Sequence, residues 1–171
     1  MTKIDPVPLK RAKYALNIWA LLTFCCAFFL LLPYISTPTG KPDPESPLPL
    51  ILTALAVLMG ASTALIRGYL LSPGKLREVA DKIRGENHDR EKQVLKFQQY
   101  WFMFHLIAWG VNESLASFGV MIYSLTGVPG KAVPFAVTGI LLNLLTYPNF
   151  VSACEKAGLG KPSEASPQSE S

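Results

Sequence analysis

The chain is organised as four long apolar runs separated by polar connections. The runs cover residues 14–35, 48–71, 99–125 and 133–150, and apolar residues fill most positions on every side of a helix drawn through them. An α-helix rises about 1.5 Å per residue and the hydrocarbon core of a bilayer is about 30 Å thick, so roughly 20 apolar residues cross it. The pattern therefore predicts an all-α membrane protein with four transmembrane helices in a single domain, residues 14–155.

The composition supports this prediction and excludes one class of partner. Of the 171 residues 50% are hydrophobic and only 16% are charged, and the mean hydropathy is +0.28, which is apolar compared with an average soluble domain. A soluble core of this size would need helices with polar faces, which these runs lack. The formal net charge of +4 does not indicate nucleic-acid binding, because every basic residue except Arg67 lies outside the four runs, in the segments that the positive-inside rule fills. We expect the lipid bilayer as partner and no nucleic acid.

The distribution of Lys and Arg predicts the orientation of the chain. These residues concentrate before the first run, between the second and third runs and after the fourth, whereas Lys41 and Lys131 lie in the other two connections. The positive-inside rule then places both termini in the cytoplasm, with residues 1–13 as the cytoplasmic N-terminus. The first run is too long for a secretory signal and no cleavage site follows it, so we expect a retained anchor. A bacterial inner (plasma) membrane fits this orientation.

The polar connections differ in character. The outer connection, 36–47, is rich in proline, which cannot donate a backbone hydrogen bond, so we expect an extended segment. The cytoplasmic connection, 72–98, begins with Ser72 and Pro73, which are typical of a helix N-terminus, and apolar residues then recur at helical spacing. This pattern predicts a short interfacial helix lying on the membrane surface. The tail, 156–171, is rich in Ser, Pro and Glu and should be disordered.

Glu113 is the most informative single residue, because an ionised side chain near the middle of an apolar run costs several kcal/mol unless it is paired or faces water. Counting depth at about 1.5 Å per residue places Asn143 of the fourth run at a similar level, so Asn143 is the expected hydrogen-bond partner of Glu113. Asn112 and His105 share one stripe of the third run, with Glu113 beside it. We take Glu113, Asn112, Asn143 and His105 as candidate ion-binding residues.

Two interpretations of these polar residues stay open. They can fix the register of packed helices through hydrogen bonds, with Glu113 protonated, or they can bind a proton or sodium ion. Small residues at intervals of four favour close helix packing: Gly60, Ala64 and Gly68 in the second run, and Gly110 and Ser114 in the third. Such stripes predict contact with another span or with another copy of the chain.

The sequence gives no support for catalysis. Cys25 and Cys26 are adjacent and Cys154 is distant, which defines neither a metal-ligand spacing nor a disulfide framework. The chain has no phosphate-binding loop, nucleophile elbow, HExxH motif or pair of catalytic acids. We therefore expect no enzymatic activity, no cofactor and no metal site.

Part of the third run resembles a known family. Glu113, Ser114, Ala116 and Gly119 are similar to the ion-binding helix of the proteolipid (c) subunits of rotary ATPases, in which a glutamate is followed by small residues. The preceding segment, 67–75, resembles the polar cytoplasmic loop that joins the two helices of that hairpin. The resemblance implies that Glu113 would bind the translocated proton or sodium ion. As a whole, the chain resembles small uncharacterised bacterial membrane proteins with four spans.

Two functions are consistent with these features. The first is a non-enzymatic polytopic membrane protein that acts as an accessory, assembly or scaffold component of a membrane complex, with other membrane subunits or copies of itself as partners. The alternative is a proteolipid-like protein that handles protons or sodium ions through the intramembrane carboxylate of Glu113. We favour the first function, because it requires helix packing alone.

Overall fold

The computed structural model describes residues 7–37, 46–86 and 89–159, and these residues form six α-helices. The helices are α1 (Val7–Ile35), α2 (Leu48–Leu65), α3 (Pro73–Gly85), α4 (Arg90–Thr126), α5 (Val133–Leu145) and α6 (Phe150–Lys156). A π-helical turn, Ile66–Leu70, continues α2, and a 3₁₀ turn, Pro129–Lys131, precedes α5. The described residues contain no β-strand, as the all-α prediction requires.

Helices α1, α2, α4 and α5 form a bundle in which α4 is central. α4 packs against the other three and α1 also packs against α5, whereas α2 and α5 touch so little that a groove separates them. In the described part of the chain, three stretches are long and apolar enough to cross a membrane: Ala12–Ile35, Leu48–Leu70 and Arg90–Thr126. A fourth exists if α5 and α6, which are bent by 54° relative to each other, are counted as one element.

The outer surface of the bundle is apolar. Large side chains such as Phe24 of α1 and Leu50 and Leu65 of α2 are 69%, 76% and 70% exposed. An apolar belt of this kind would be an aggregation hazard in water, whereas it is the ordinary surface of a helix that faces lipid. The three or four apolar helices are therefore compatible with a membrane environment.

The fourth apolar run is not one continuous helix, contrary to the prediction for 133–150. α5 ends at Leu145 after 13 residues, and α6 begins only at Phe150. Pro148 lies in this break, where its ring removes a backbone donor and disfavours helical geometry for Tyr147. At about 1.5 Å per residue, α5 alone is about 20 Å long, which is less than the hydrocarbon thickness.

Helices α3 and α6 and the first turns of α4 form a compact cap at one end of the bundle. α3 begins as predicted, because the Ser72 Oγ accepts the backbone N–H of Lys75 at 3.3 Å and Pro73 occupies the first helical position. The core of the cap contains Leu76, Ala80, Ile83, Val94, Phe97, Trp101, Phe150, Ala153 and Cys154. The apolar face of α3 is buried against α4 and α6 and does not lie open to lipid, so the position of α3 at the membrane surface stays a prediction.

Three arginine side chains of the cap hold the end of α6. The pairs are Arg77 Nε to the carbonyl oxygen of Lys156 (2.9 Å), Arg84 to that of Gly158 (2.6 Å) and Arg90 to that of Leu159 (3.2 Å). These cations satisfy carbonyl groups that a helix C-terminus leaves free. Residues 156–159, expected as the start of a disordered tail, therefore belong to the cap.

Other predictions concern residues outside the described part of the chain. The tail from residue 160, the start of the N-terminus (1–6) and most of the proline-rich outer connection (38–45) fall there. At that end of the bundle, the Tyr123 hydroxyl donates to the carbonyl oxygen of Ser36 at 2.5 Å, which ties the end of α1 to α4.

Candidate functional site

A buried polar layer crosses the bundle and takes one residue from each of its four helices. Thr63 of α2 donates its hydroxyl to Oδ1 of Asn112 on α4 at 2.8 Å, and Nδ2 of Asn112 donates to Oδ1 of Asn143 on α5 at 2.8 Å. Nδ2 of Asn143 donates in turn to Sγ of Cys26 on α1 at 3.5 Å. Both asparagines are fully buried. Because each side chain in the chain of contacts has a partner, the layer can lie inside an apolar bundle without a large desolvation cost.

Glycine allows α4 and α5 to approach closely enough to build this layer. A Cβ atom added to Gly139 of α5 would lie 2.8 Å from the Asn112 carbonyl oxygen, and one added to Gly119 of α4 would lie 2.7 Å from the Ala132 carbonyl oxygen. Both distances are shorter than any comfortable contact with a side chain. Gly139 was not among the predicted packing residues, although its position four residues before Asn143 could have identified it.

Two tryptophans donate hydrogen bonds to carbonyl groups at the end of α5. Trp19 Nε1 of α1 donates to the Asn143 carbonyl oxygen at 2.8 Å, and Trp109 Nε1 of α4 donates to the Thr146 carbonyl oxygen at 3.1 Å. The Trp19 ring also meets Tyr147 edge-on, with centroids 5.0 Å apart. An indole suits this task because it is apolar with a single donor. These contacts hold the end of α5 in a fixed orientation.

Glu113 lies next to the polar layer but outside it. One residue after Asn112, it points about 100° further round α4 and lies on the side of α4 that faces Cys26 of α1. Its side chain is partly exposed and makes no hydrogen bond or ion pair with any residue that the structure describes. The prediction that Asn143 pairs with Glu113 was wrong, because Asn143 bonds to Asn112 and Cys26 instead.

His105 and Arg67 lie nearer the cap and away from Glu113. His105 precedes Glu113 by two helical turns, about 12 Å along α4. Its Nδ1 lies 2.9 Å from the Trp101 carbonyl oxygen, which only accepts, so the hydrogen bond requires a proton on Nδ1. The His105 ring also contacts Trp101 and Trp109, with centroids 4.4 Å and 5.4 Å away. Arg67 and His105 line one cavity of about 170 Å³.

The structure thus brings together only part of the predicted ion-binding set. Asn112 and Asn143 bond to each other, Glu113 stands apart on the α1 side, and His105 belongs to the cavity near the cap. Among the described residues, no group of three or more His, Cys, Asp or Glu side chains is placed to hold a metal ion.

Among the described residues, the glycines predicted to pack make no close helix contact, and only Gly60 has neighbours, at ordinary van der Waals distance. Gly110 and Ser114 face outward from α4, and no atom lies within 4 Å of a Cβ added to Gly110. Gly60, Ala64 and Gly68 line the groove between α2 and α5. Their role in packing therefore stays a prediction about contacts with another molecule.

Comparison with known proteins adds no further assignment to this geometry. No protein family, curated protein or solved structure matches the chain.

Proposed function

We propose that the chain is a polytopic protein of a bacterial inner membrane and acts as a non-enzymatic accessory, assembly or scaffold component of a membrane complex. It crosses the bilayer four times, through α1, α2, α4 and α5, with both termini and the cap in the cytoplasm. The apolar exterior of the bundle supports this placement, and so does the concentration of basic residues in the cap, with Lys131 at the opposite end. In this arrangement α3 and α6 lie outside the hydrocarbon.

The observation that carries the proposal is the unpaired, partly exposed side chain of Glu113 on the α1 side of α4. Inside, the polar layer is satisfied by its own members, which suits a role in fixing helix register. Outside, a carboxyl group at the same depth has no partner among the described residues. A polar group in hydrocarbon is strongly favoured to meet another polar group, so Glu113 is suited to contact a helix of a second membrane chain.

The alternative, ion handling through Glu113, uses the same exposure. A carboxyl group that exchanges a proton or sodium ion with a neighbouring subunit must also face outward. However, Asn112 and Asn143 are occupied by each other and His105 is about 12 Å away along α4, so none of them supports Glu113 as an ion ligand. In addition, the second apolar run has only two glycines, Gly60 and Gly68, whereas the helices of a proteolipid ring are dense in glycine.

The proposal is tested by measuring the mass of the complex in mild detergent for Glu113→Gln and Glu113→Leu. We expect the wild type to carry a second membrane chain, either another copy or a different subunit. Glu113→Gln should retain this partner, because an amide still forms hydrogen bonds, and Glu113→Leu should release it. Met103→Leu, at an exposed position of the same helix, is the matched control and should retain the partner.

Flux measurements in proteoliposomes separate the two functions. If Glu113→Gln abolishes a proton or sodium flux while the mass of the complex is unchanged, the scaffold proposal is wrong and the ion-handling alternative is supported. If Glu113→Leu leaves the mass unchanged and the wild type conducts no ion, both functions of Glu113 are excluded.

A further inference from the structure

A continuous groove runs along the bundle between α2 and α5. It contains two cavities of about 420 and 380 Å³, one nearer the cap and one nearer the opposite end, which share the side chain of Leu142. The α2 wall is low because Gly60, Ala64 and Gly68 follow one another along it. The lining is mainly apolar, with scattered Ser and Thr hydroxyl groups and with Arg67 at the cap end. An open groove of this volume and polarity between two membrane helices can hold a hydrocarbon chain.

The groove opens at its cap end into a polar cavity of a different kind. This cavity of about 170 Å³ shares Arg67, Leu71, Leu145 and Thr146 with the groove. Its other polar lining residues include Lys156, Ser152 and Asn149, and its lining contains no Asp or Glu. Two cations and several neutral hydrogen-bonding groups therefore surround a space at the end of an apolar channel, without an acidic side chain to neutralise them.

Arg67 differs from the other arginines of the cap region. Arg77, Arg84 and Arg90 each donate to a backbone carbonyl oxygen at the end of α6. Arg67 makes no hydrogen bond or ion pair with any residue in the described part of the chain. It lies in the π-helical turn Ile66–Leu70, a geometry that often occurs at functional sites. A guanidinium group held at the membrane boundary without an internal partner favours an anion with several oxygen acceptors.

From these observations we infer that the groove binds one anionic phospholipid. The phosphodiester contacts Arg67 and Lys156 in the polar cavity, and an acyl chain occupies the groove between α2 and α5. Basic pockets between helices on the cytoplasmic side of a membrane are suited to anionic headgroups, because that leaflet carries anionic lipid. The inference rests on the membrane placement proposed above. It gives Gly60, Ala64 and Gly68 a role in keeping the groove open to lipid, in place of direct helix packing.

Native mass spectrometry of delipidated protein, titrated with phosphatidylglycerol or phosphatidylcholine of the same acyl chains, tests the inference. We expect one phosphatidylglycerol to bind at least about tenfold more tightly than phosphatidylcholine. Both lipids carry the phosphodiester, but the choline cation of the second offsets its charge and would lie close to Arg67 and Lys156. Arg67→Gln and Lys156→Gln should remove this preference, and Arg67→Lys should keep part of it. Lys131→Gln, which removes an exposed cation at the opposite end of the bundle, should leave it unchanged.

The acyl chain is tested in the same titration. Ala64→Leu should block the groove and weaken the binding of both lipids. Ala54→Leu, at an exposed position of the same helix outside the groove, should leave their binding unchanged. Soluble glycerophosphoglycerol, which has the headgroup alone, should bind far more weakly than the intact lipid. Equal binding of the two lipids by the wild type, unchanged selectivity in folded Arg67→Gln, or equal binding of the soluble headgroup would each overturn the inference. The partner mass in the same spectra reports on Glu113 separately, so failure of the lipid site is distinguished from failure of the proposed function.

Discussion

The side chains of Asn112 and Asn143 share a hydrogen bond of 2.8 Å across the interface between α4 and α5. Through it, two helices that hardly touch each other become linked: α2 joins the layer through Thr63 and α1 joins it through Cys26. One amide pair at the centre thus sets the rotation of all four helices. In a bundle whose helices are otherwise apolar, such a layer discriminates between registers that packing alone would allow.

Asn143→Ala should lower the free energy of unfolding in mixed detergent micelles by about 1 to 3 kcal/mol, because it leaves Nδ2 of Asn112 buried without an acceptor. The matched control is Thr138→Ala on the same helix. Thr138 is exposed and its hydroxyl bonds only to the Pro134 carbonyl one turn earlier, so a change below about 0.5 kcal/mol is expected. Equal losses for the two variants would show that the layer does not stabilise the bundle.

A double-mutant cycle measures the interaction between the Asn112 and Asn143 side chains. If Asn112 and Asn143 act as one unit, combining Asn112→Ala with Asn143→Ala should cost less than the sum of the two single changes by about 0.5 to 2 kcal/mol. Additive effects would mean that the two side chains contribute independently.

Gly139→Ala should destabilise the bundle by about 1 to 3 kcal/mol, since the added methyl group would meet the Asn112 carbonyl oxygen at 2.8 Å and push α4 and α5 apart. The matched control is Gly110→Ala, where no neighbouring atom lies within 4 Å. That change should be neutral or slightly stabilising, because alanine favours a helix over glycine. The same unfolding titration compares them, and a tolerated Gly139→Ala would contradict the close approach.

The sequence predicted the facing ends of the first two apolar helices well because the proline-rich connection marks them. α1 ends at Ile35 and α2 begins at Leu48, as expected. At its other end α1 begins at Val7 and not at residue 14, because the basic residues before the run continue the helix. The start of α4 was placed at residue 99 but lies at Arg90. Its first turns are polar on one face and bury Val94 and Phe97 against the cap, and hydropathy alone cannot detect such contacts.

The error at Glu113 has a simple geometric origin. Counting residues along a run gives depth to within a turn, and it placed Asn143 at the correct level. It gives no information about which way a helix faces, and neighbouring residues such as Asn112 and Glu113 differ by only about 1.5 Å in depth but about 100° in direction. The partner of Asn143 could be assigned only once the rotation of α4 was known. The tryptophan contacts to α5 depend on tertiary structure in the same way.

Cys154 should resist thiol reagents in the native protein. It is 1% exposed in the core of the cap, and burial, with a smaller effect from Glu155, raises the pKa of its thiol to about 12. Because the thiolate is the reactive form, the native thiol should stay unlabelled from neutral to mildly alkaline pH. A cysteine introduced at exposed position 155, in a Cys154→Ala background, should react readily and faster as the pH rises. Rapid labelling of native Cys154 would show that α6 detaches from the cap.

The number of crossings is decided by three single cysteines placed at exposed positions in a background without other cysteines: Lys82→Cys, Lys131→Cys and Glu155→Cys. With four spans, an impermeant maleimide should label only the second in intact cells and only the first and third in inverted vesicles. Labelling Glu155→Cys on the same side as Lys131→Cys, and opposite Lys82→Cys, would contradict both the four crossings and the cap, because Arg77 and Arg84 of α3 bond to carbonyl groups at the end of α6. It would mean that α5, which is about 20 Å long, does not carry the chain across the bilayer.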